Sequence, residues 1–143
     1  MINFKIILNV LGYLLVALSI LLIVPIIIDL ISGNDSWKSF LISLIITLGF
    51  GVTFLLSTRN ELKNKILTQD AFLITTLSWI FISIFGALPF FFLDSSLSLT
   101  NSIFESMSGI TTTGSTIFNE VENLPQGILI LSLIHISEPT RPE

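Results

Sequence analysis

The chain contains three long apolar stretches that carry no charged residue, and most of its polar residues lie between them. The stretches cover residues 6–28, 39–58 and 71–93. Each reaches the length of about 20 residues that an α-helix needs to cross about 30 Å of hydrocarbon. Three such stretches in 143 residues leave too little polar surface for a soluble protein with buried helices. The pattern predicts an all-α integral membrane protein with three transmembrane helices.

Composition supports this class and excludes several functions. Hydrophobic residues make up 52% of the chain and charged residues only 11%, and the net charge of −4 argues against nucleic-acid binding. The absence of cysteine excludes a disulfide framework and thiolate metal sites. The polar groups of the three stretches are Asn9, serines and threonines, with no acid, base or nucleophile constellation. We therefore expect neither an enzyme nor a bound cofactor, and the single His135 is expected to be incidental.

The basic residues predict how the chain crosses the membrane. Lys5 and the cluster Arg59, Lys63 and Lys65 flank the first two stretches on one side, whereas Lys38 alone lies on the other. Because loops rich in lysine and arginine stay in the cytoplasm, the N-terminus and loop 59–70 are predicted to be cytoplasmic. Segment 94–122 is then external, and its acidic residues would raise the local cation concentration. These residues are Asp94, Glu105, Glu120 and Glu122.

A short segment after the third stretch predicts a half-length helix over residues 101–109. Ser102 and Glu105 fit a capping box at its start. Gly109 fits the glycine that commonly ends a helix. A helix of this length measures about 13 Å, less than half of the hydrocarbon thickness. As a re-entrant pore helix entering from outside, it would direct the negative end of its dipole toward the membrane centre.

The loop that follows this helix holds the candidate site residues. A cation filter presents backbone carbonyls to a dehydrated ion, and irregular backbone exists at membrane depth only where protein or a water-filled pore surrounds it. A long helix, a half-length helix and a Thr/Gly loop follow one another in the order of a cation-channel pore unit. The composition of the loop alone also fits a solvated surface loop. The candidates are Thr111, Thr112, Thr113, Gly114 and Ser115.

Four sequence motifs resemble a known family. They are Phe-Leu-Ile at 72–74, Gly-Ala-Leu-Pro-Phe at 86–90, Phe-Glu-Ser-Met-Ser-Gly-Ile-Thr-Thr-Thr-Gly at 104–114 and Leu-Pro at 124–125. Together they are similar to the N-terminal part of the TrkH-like proteins, the membrane subunits of bacterial Trk-type potassium uptake systems in the Trk/Ktr/HKT superfamily. Members of this family carry two extra N-terminal helices and then four repeats of helix, half-helix with filter loop, and helix. The four loops surround one pore.

The resemblance implies a domain organisation for the chain. Residues 1–58 would form the accessory pair of transmembrane helices. Residues 71–130 would form the first pore repeat, with an outer helix over the third apolar stretch. The pore helix of this repeat would cover 101–109 and the filter 111–115. A further helix would begin after the filter.

The resemblance also implies a function, potassium ion transport across the bacterial cytoplasmic (inner) membrane. It assigns coordination of potassium to the backbone of Thr112 and Thr113. It further indicates that a filter with the single glycine Gly114 has the potassium-preferring form. The implied partners are membrane lipid and potassium ions. For the full-length protein they also include a second copy in a homodimer and a cytoplasmic nucleotide-binding regulatory subunit.

The end of the chain departs from the family pattern. Only residues 128–134 are apolar before a tail with two prolines and three charged residues. Residues 133–142 resemble a translated adapter sequence, so we expect residues 131–143 to be artefactual and the chain to be an N-terminal fragment of a transporter. Two alternatives stay open, a subunit of a homotetrameric cation channel and a non-transporting membrane anchor or interaction protein.

Overall fold

The computed structural model describes residues 3–58, 68–93, 97–117 and 125–133, and within these ranges all regular structure is helical. Within these ranges, three helical segments are long and apolar enough to cross a membrane, namely Phe4–Ser32, Trp37–Thr58 and Thr68–Leu93. The predicted all-α fold with three spans and the start of a further helix is confirmed. The helices are α1 (Phe4–Leu21), α2 (Ile23–Ser32), α3 (Trp37–Thr58), α4 (Thr68–Leu93), α5 (Leu99–Ile110) and α6 (Gln126–Leu133).

The first span consists of two consecutive helices. Pro25 has no N–H to donate to the carbonyl of Leu21, so the helix is interrupted at Leu22 and resumes as α2. α2 ends at Gly33, whose φ of 70° provides the left-handed conformation typical of a helix C-terminus. The helix therefore extends past residue 28 and includes Asp29. The prediction that the first span contains no acid was wrong, because the helix ends at its glycine rather than at its first charge.

α1 and α3 pack with their backbones in contact through two glycines. A Cβ atom at Gly12 would lie 3.0 Å from the carbonyl oxygen of Gly51, and one at Gly51 would lie 3.1 Å from the amide nitrogen of Val16. Small residues allow such close approach between membrane helices. Gly51 thus serves helix packing, whereas an added Cβ at Gly49 of the same helix would meet nothing within 4 Å.

The N-terminal ends of α1 and α4 meet through a hydrogen bond. The amide of Asn3 donates to Oδ1 of Asp70 at 3.0 Å, and Asp70 lies in the first turn of α4, where a negative charge is favourable. α4 begins at Thr68, so the prediction of a loop over 59–70 was wrong for its last three residues. The remainder of that loop, 59–67, lies outside the described residues. α4 continues without interruption through Pro89 to Leu93.

α5 packs against α4 at a second close approach. A Cβ atom at Gly86 of α4 would lie 2.6 Å from the hydroxyl oxygen of Ser106 on α5. Three residues earlier, the hydroxyl of Ser83 lies 2.8 Å from the sulfur of Met107. A buried apolar cluster then joins α2, α3, α4 and α6 beside this pair. Its members are Leu22, Ile26, Phe40, Phe90 and Ile128.

Candidate functional site

The candidate site begins at α5, a helix of 12 residues. At 1.5 Å per residue its length is about 18 Å, well short of the roughly 30 Å hydrocarbon thickness. The side chain of Ser98 caps it by accepting a hydrogen bond from the amide of Asn101 at 3.2 Å. The predicted capping box of Ser102 and Glu105 was wrong, because the helix begins at Leu99 and both residues lie inside it.

The end of α5 also differs from the prediction. The helix passes through Gly109, which was expected to terminate it, and ends at Ile110 with Thr111 as its C-cap. The amide and the hydroxyl of Thr111 both donate to the carbonyl oxygen of Met107, at 2.9 Å and 2.8 Å. These two bonds close the last turn, so the chain reverses only after Thr111.

The reversal uses two residues in the left-handed region of backbone space. Thr112 has a φ of 54° and Gly114 a φ of 72°. Positive φ is ordinary for glycine but rare for a β-branched residue such as threonine. Strained backbone of this kind is concentrated at functional sites, where the surrounding structure holds it in place. The backbone at Thr112 therefore supports a functional role for the loop.

Hydrogen bonds from α5 and from within the loop engage two of the loop carbonyls. The hydroxyl of Ser108 donates to the carbonyl oxygen of Ser115 at 2.5 Å, and the hydroxyl of Thr112 donates to that of Thr111 at 2.7 Å. The amide of Thr113 donates back to the carbonyl oxygen of Ser108 at 3.0 Å. Among the described residues, no donor reaches the carbonyl oxygens of the three residues between, Thr112, Thr113 and Gly114.

Glu105 attaches the outgoing end of the loop to the middle of α5. Its side chain is buried, and its Oε1 accepts hydrogen bonds from the hydroxyl of Thr116, at 2.8 Å, and from the amide of Ile117. Hydrogen bonds to a carboxylate are about twice as strong as bonds between neutral groups. Glu105 is thus a brace for the loop rather than the helix cap that the sequence suggested.

The two attachment points lie on one polar face of α5. Glu105 and Ser108 are three residues apart, the spacing that places side chains on the same side of a helix. All the buried side chains of α5 are polar, and buried polar groups require partners. The brace was not predicted because Glu105 was assigned to the helix terminus, although a row of polar residues in a short helix is a signal of buried polar contacts. The buried set is Ser102, Glu105, Ser106 and Ser108.

Behind the loop lies a cavity of about 240 Å³. Its lining comes from α1, α4, α5, α6 and the loop itself, and includes Gly86, Ser106, Gly114 and Leu131. The five predicted site residues are exposed and form one turn in front of this cavity. The loop borders the cavity at Gly114 and Ser115. The attachment of the loop to α5 through Ser108 and Glu105 therefore also holds this wall of the cavity in place.

Comparison with known proteins identifies relatives of this chain. The family model for TrkH, described as a cation transport protein, matches residues 36–137. The Trk system potassium uptake protein TrkH of Halomonas elongata is 38% identical over 128 residues, covering 89% of this chain and 26% of the relative. The TrkH protein of Escherichia coli K12 is 34% identical over 128 residues with the same coverage.

A solved structure agrees with these relatives. The crystal structure of the potassium transporter TrkH from Vibrio parahaemolyticus superimposes with a TM-score of 0.85 at 29% identity. The match covers 92% of this chain and 28% of the transporter. The chain thus spans about a quarter of the length of the relatives that it matches. With its helical fold, its half-length helix and these matches, the chain belongs to the TrkH family of cation transport proteins.

Proposed function

We propose that this chain supplies the first filter segment of a potassium transporter and that the carbonyl oxygens of Thr112 and Thr113 coordinate the ion. The observation that carries the proposal is the hydrogen-bond pattern of the loop. Side-chain donors engage the carbonyls of Thr111 and Ser115, while those between them receive no donor among the described residues. A potassium filter needs such carbonyls, because they replace the water molecules that the ion loses.

The pattern divides the five candidate residues into two roles. Thr111 and Ser115 anchor the ends of the turn to α5, because Thr111 donates to the carbonyl of Met107 and the carbonyl of Ser115 accepts from the hydroxyl of Ser108. Thr112, Thr113 and Gly114 present the carbonyls that receive no donor among the described residues. Gly114, with its φ of 72°, gives this part of the turn its conformation. The C-terminal end of α5 adds a partial negative charge next to the ion path.

The membrane arrangement follows from the same proposal. The N-terminus and the segment between α3 and α4 face the cytoplasm of a bacterial cell, and α5 enters the inner membrane from outside as a re-entrant helix. Cysteine-accessibility labelling from outside should modify a cysteine placed at Asn119 and spare one placed at Lys63. The opposite pattern would contradict both the topology and the pore assignment.

The proposal places the chain in a larger assembly. One turn supplies only a part of a coordination cage, so further filter loops of the same transporter complete it. A homodimer of full-length chains with a cytoplasmic nucleotide-binding regulatory subunit is the assembly that we propose. Family membership favours this transporter over a non-transporting anchor, and coverage of about a quarter of each relative favours it over a homotetrameric channel subunit.

A chimera tests the function directly. Residues 1–130 would replace the matching segment of the Halomonas elongata relative, and the product would be expressed in a host that lacks potassium uptake. We expect growth at low potassium from the chimera and none from the 143-residue chain alone. The chimera with Gly49→Ala is a control for a tolerated substitution and should also restore growth, because an added Cβ at Gly49 would meet nothing within 4 Å. Rescue by the short chain alone would overturn the proposal in favour of a homotetrameric channel.

A further inference from the structure

Asp29 is a fully buried acidic residue of α2 that lies outside the filter loop and its brace. Its Oδ1 accepts a hydrogen bond from the amide of Gly127 at 2.7 Å. Its other oxygen, Oδ2, is buried and has no hydrogen-bond partner among the described residues. A buried carboxyl oxygen without a hydrogen-bond partner lowers the stability of the fold, so the presence of Asp29 at this position needs an explanation.

The residue that Asp29 contacts is at the start of α6. Gly127 is the second residue of that helix, and the first amides of a helix have no acceptor within it. A carboxyl group at this point satisfies one such amide, and the helix dipole favours its negative charge. One turn after Asp29, the hydroxyl of Ser32 donates to Oε1 of Gln126 at 2.6 Å. The same face of α2 therefore holds α6 at two points.

Gly127 lies directly against the carboxyl group of Asp29. A Cβ atom at this position would lie 2.6 Å from Oδ2 and 2.7 Å from Oδ1 of Asp29, closer than atoms without a bond between them can approach. The φ of Gly127 is not positive, so its backbone conformation does not require glycine. The missing side chain instead makes room for Asp29.

We propose that Asp29 is a positioning residue of the transporter, whose carboxyl group caps α6 and fixes where the helix after the filter loop begins. The proposal rests on the proposed role of the loop in potassium conduction. α5 and the bonds of Glu105 and Ser108 hold the loop from one side. Asp29 holds the chain at the other side of the loop, so the first helix pair contributes to the geometry of the pore.

A double-mutant cycle on the full 143-residue chain in detergent micelles tests the contact. Asp29→Ala should lower the ratio of folded to unfolded protein about tenfold or more, the size of a lost hydrogen bond to a charged group. Gly127→Ala should lower the thermal midpoint when Asp29 is present. In the Asp29→Ala background the same change should be neutral or should raise the midpoint, because alanine forms helix better than glycine. Equal effects of Gly127→Ala in the two backgrounds would overturn the proposal.

Potassium uptake by the chimera with the Halomonas elongata relative tests the positioning role. Asp29→Ala should lower the maximal uptake rate per amount of protein in the membrane and leave the preference for potassium over sodium unchanged. Asp29→Ala should also restore part of the rate that Gly127→Ala removes. Asp35→Asn, which removes an exposed acid between α2 and α3, is the matched control and should change nothing.

The outcomes separate this proposal from the proposed function. An unchanged maximal rate in Asp29→Ala, at an unchanged amount of protein, would overturn the positioning role. So would the absence of any rescue by the second substitution. A parent chimera that transports no potassium would instead contradict the proposed function, and the unfolding cycle would still decide whether Asp29 is seated on Gly127.

Discussion

Two buried carboxyl groups hold the two ends of the segment that carries the filter loop, and they do so in different ways. Glu105 lies on α5 and accepts two hydrogen bonds from the chain that leaves the loop. Asp29 lies on α2 and accepts one from the start of α6, while its second oxygen rests against the same glycine. The first contact shapes the loop itself, whereas the second fixes the helix that follows it.

The two contacts also differ in their distance along the chain. The partners of Glu105 lie 11 and 12 residues away, and the partner of Asp29 lies 98 residues away. A short-range contact forms within one half-length helix and its loop. A long-range contact requires the first helix pair to be in place. The comparison therefore predicts that Glu105 governs ion preference and that Asp29 governs transport rate.

The largest effect is expected from Glu105→Ala in the chimera. The substitution removes both hydrogen bonds of the brace, at about 1.5–3 kcal/mol for each bond to a charged acceptor, and releases the outgoing end of the loop. We expect a strong loss of discrimination between potassium and sodium with the protein still in the membrane. Glu105→Gln should have a smaller effect, since its carboxamide oxygen still accepts. Fluxes of the two ions into proteoliposomes measure both.

The result for Glu105→Ala also tests whether the two buried carboxyl groups have different roles. If the ion preference stays intact while the transport rate falls, Glu105 acts as Asp29 does. The proposal that Glu105 shapes the loop while Asp29 positions α6 is then wrong. Asp29→Ala, measured in the same assay, is the paired variant for this purpose.

The second effect in size is expected from Gly114→Ser. A side-chain-bearing residue in left-handed conformation costs about 1–2 kcal/mol, which is enough to change discrimination between ions about tenfold. An added Cβ at Gly114 would meet nothing within 4 Å, so the effect comes from the φ of 72° and not from a collision.

Gly33→Ser is the matched control for this substitution. Gly33 has a φ of 70° and equally open surroundings, but it ends α2 far from the loop in sequence. It should lower the thermal midpoint and leave ion preference unchanged. Equal ion preference in wild type and Gly114→Ser would make the loop an ordinary surface turn.

The sequence predicted the features that depend on local pattern. The length of the stretches without charged residues indicated the three spans. The order of helix, half-length helix and loop indicated the candidate site. The errors arose where a distant contact decides the structure. The helix through Asp29 continues to Gly33 because the carboxyl group has Gly127 to bind. Glu105 looked like a cap because its partners come from a returning loop, whose direction the sequence does not specify.

A smaller effect is expected from Ser108→Ala. The substitution removes the hydroxyl bond to the carbonyl of Ser115, a neutral bond that contributes about 0.5–1.5 kcal/mol. The freed carbonyl could then turn toward the ion, so we expect a mild change in preference among potassium, rubidium and sodium. Competition fluxes in proteoliposomes measure this. Ser102→Ala is the control, since among the described residues its hydroxyl bonds to the carbonyl of Ser98 at the far end of α5. Identical competition profiles for both variants would contradict a role for Ser108 in the filter.

The smallest effect is expected from a third carboxyl group, which is exposed. The hydrogen bond and charge of Lys38 hold the pKa of Asp35 below its ordinary value, with Nζ 2.7 Å from Oδ1. Because the folded-state pKa is lowered, any stabilisation is present above the unfolded pKa of Asp35 and is lost as pH falls through the folded pKa. Solvent screens an exposed pair, so Asp35→Asn should leave the thermal midpoint at pH 7 unchanged within error. Thermal unfolding of both proteins at pH 7 and about pH 3 checks this. A drop in the thermal midpoint of Asp35→Asn at pH 7 as large as that of Asp29→Ala would contradict this. It would show that burial does not decide how much each carboxyl group contributes to stability.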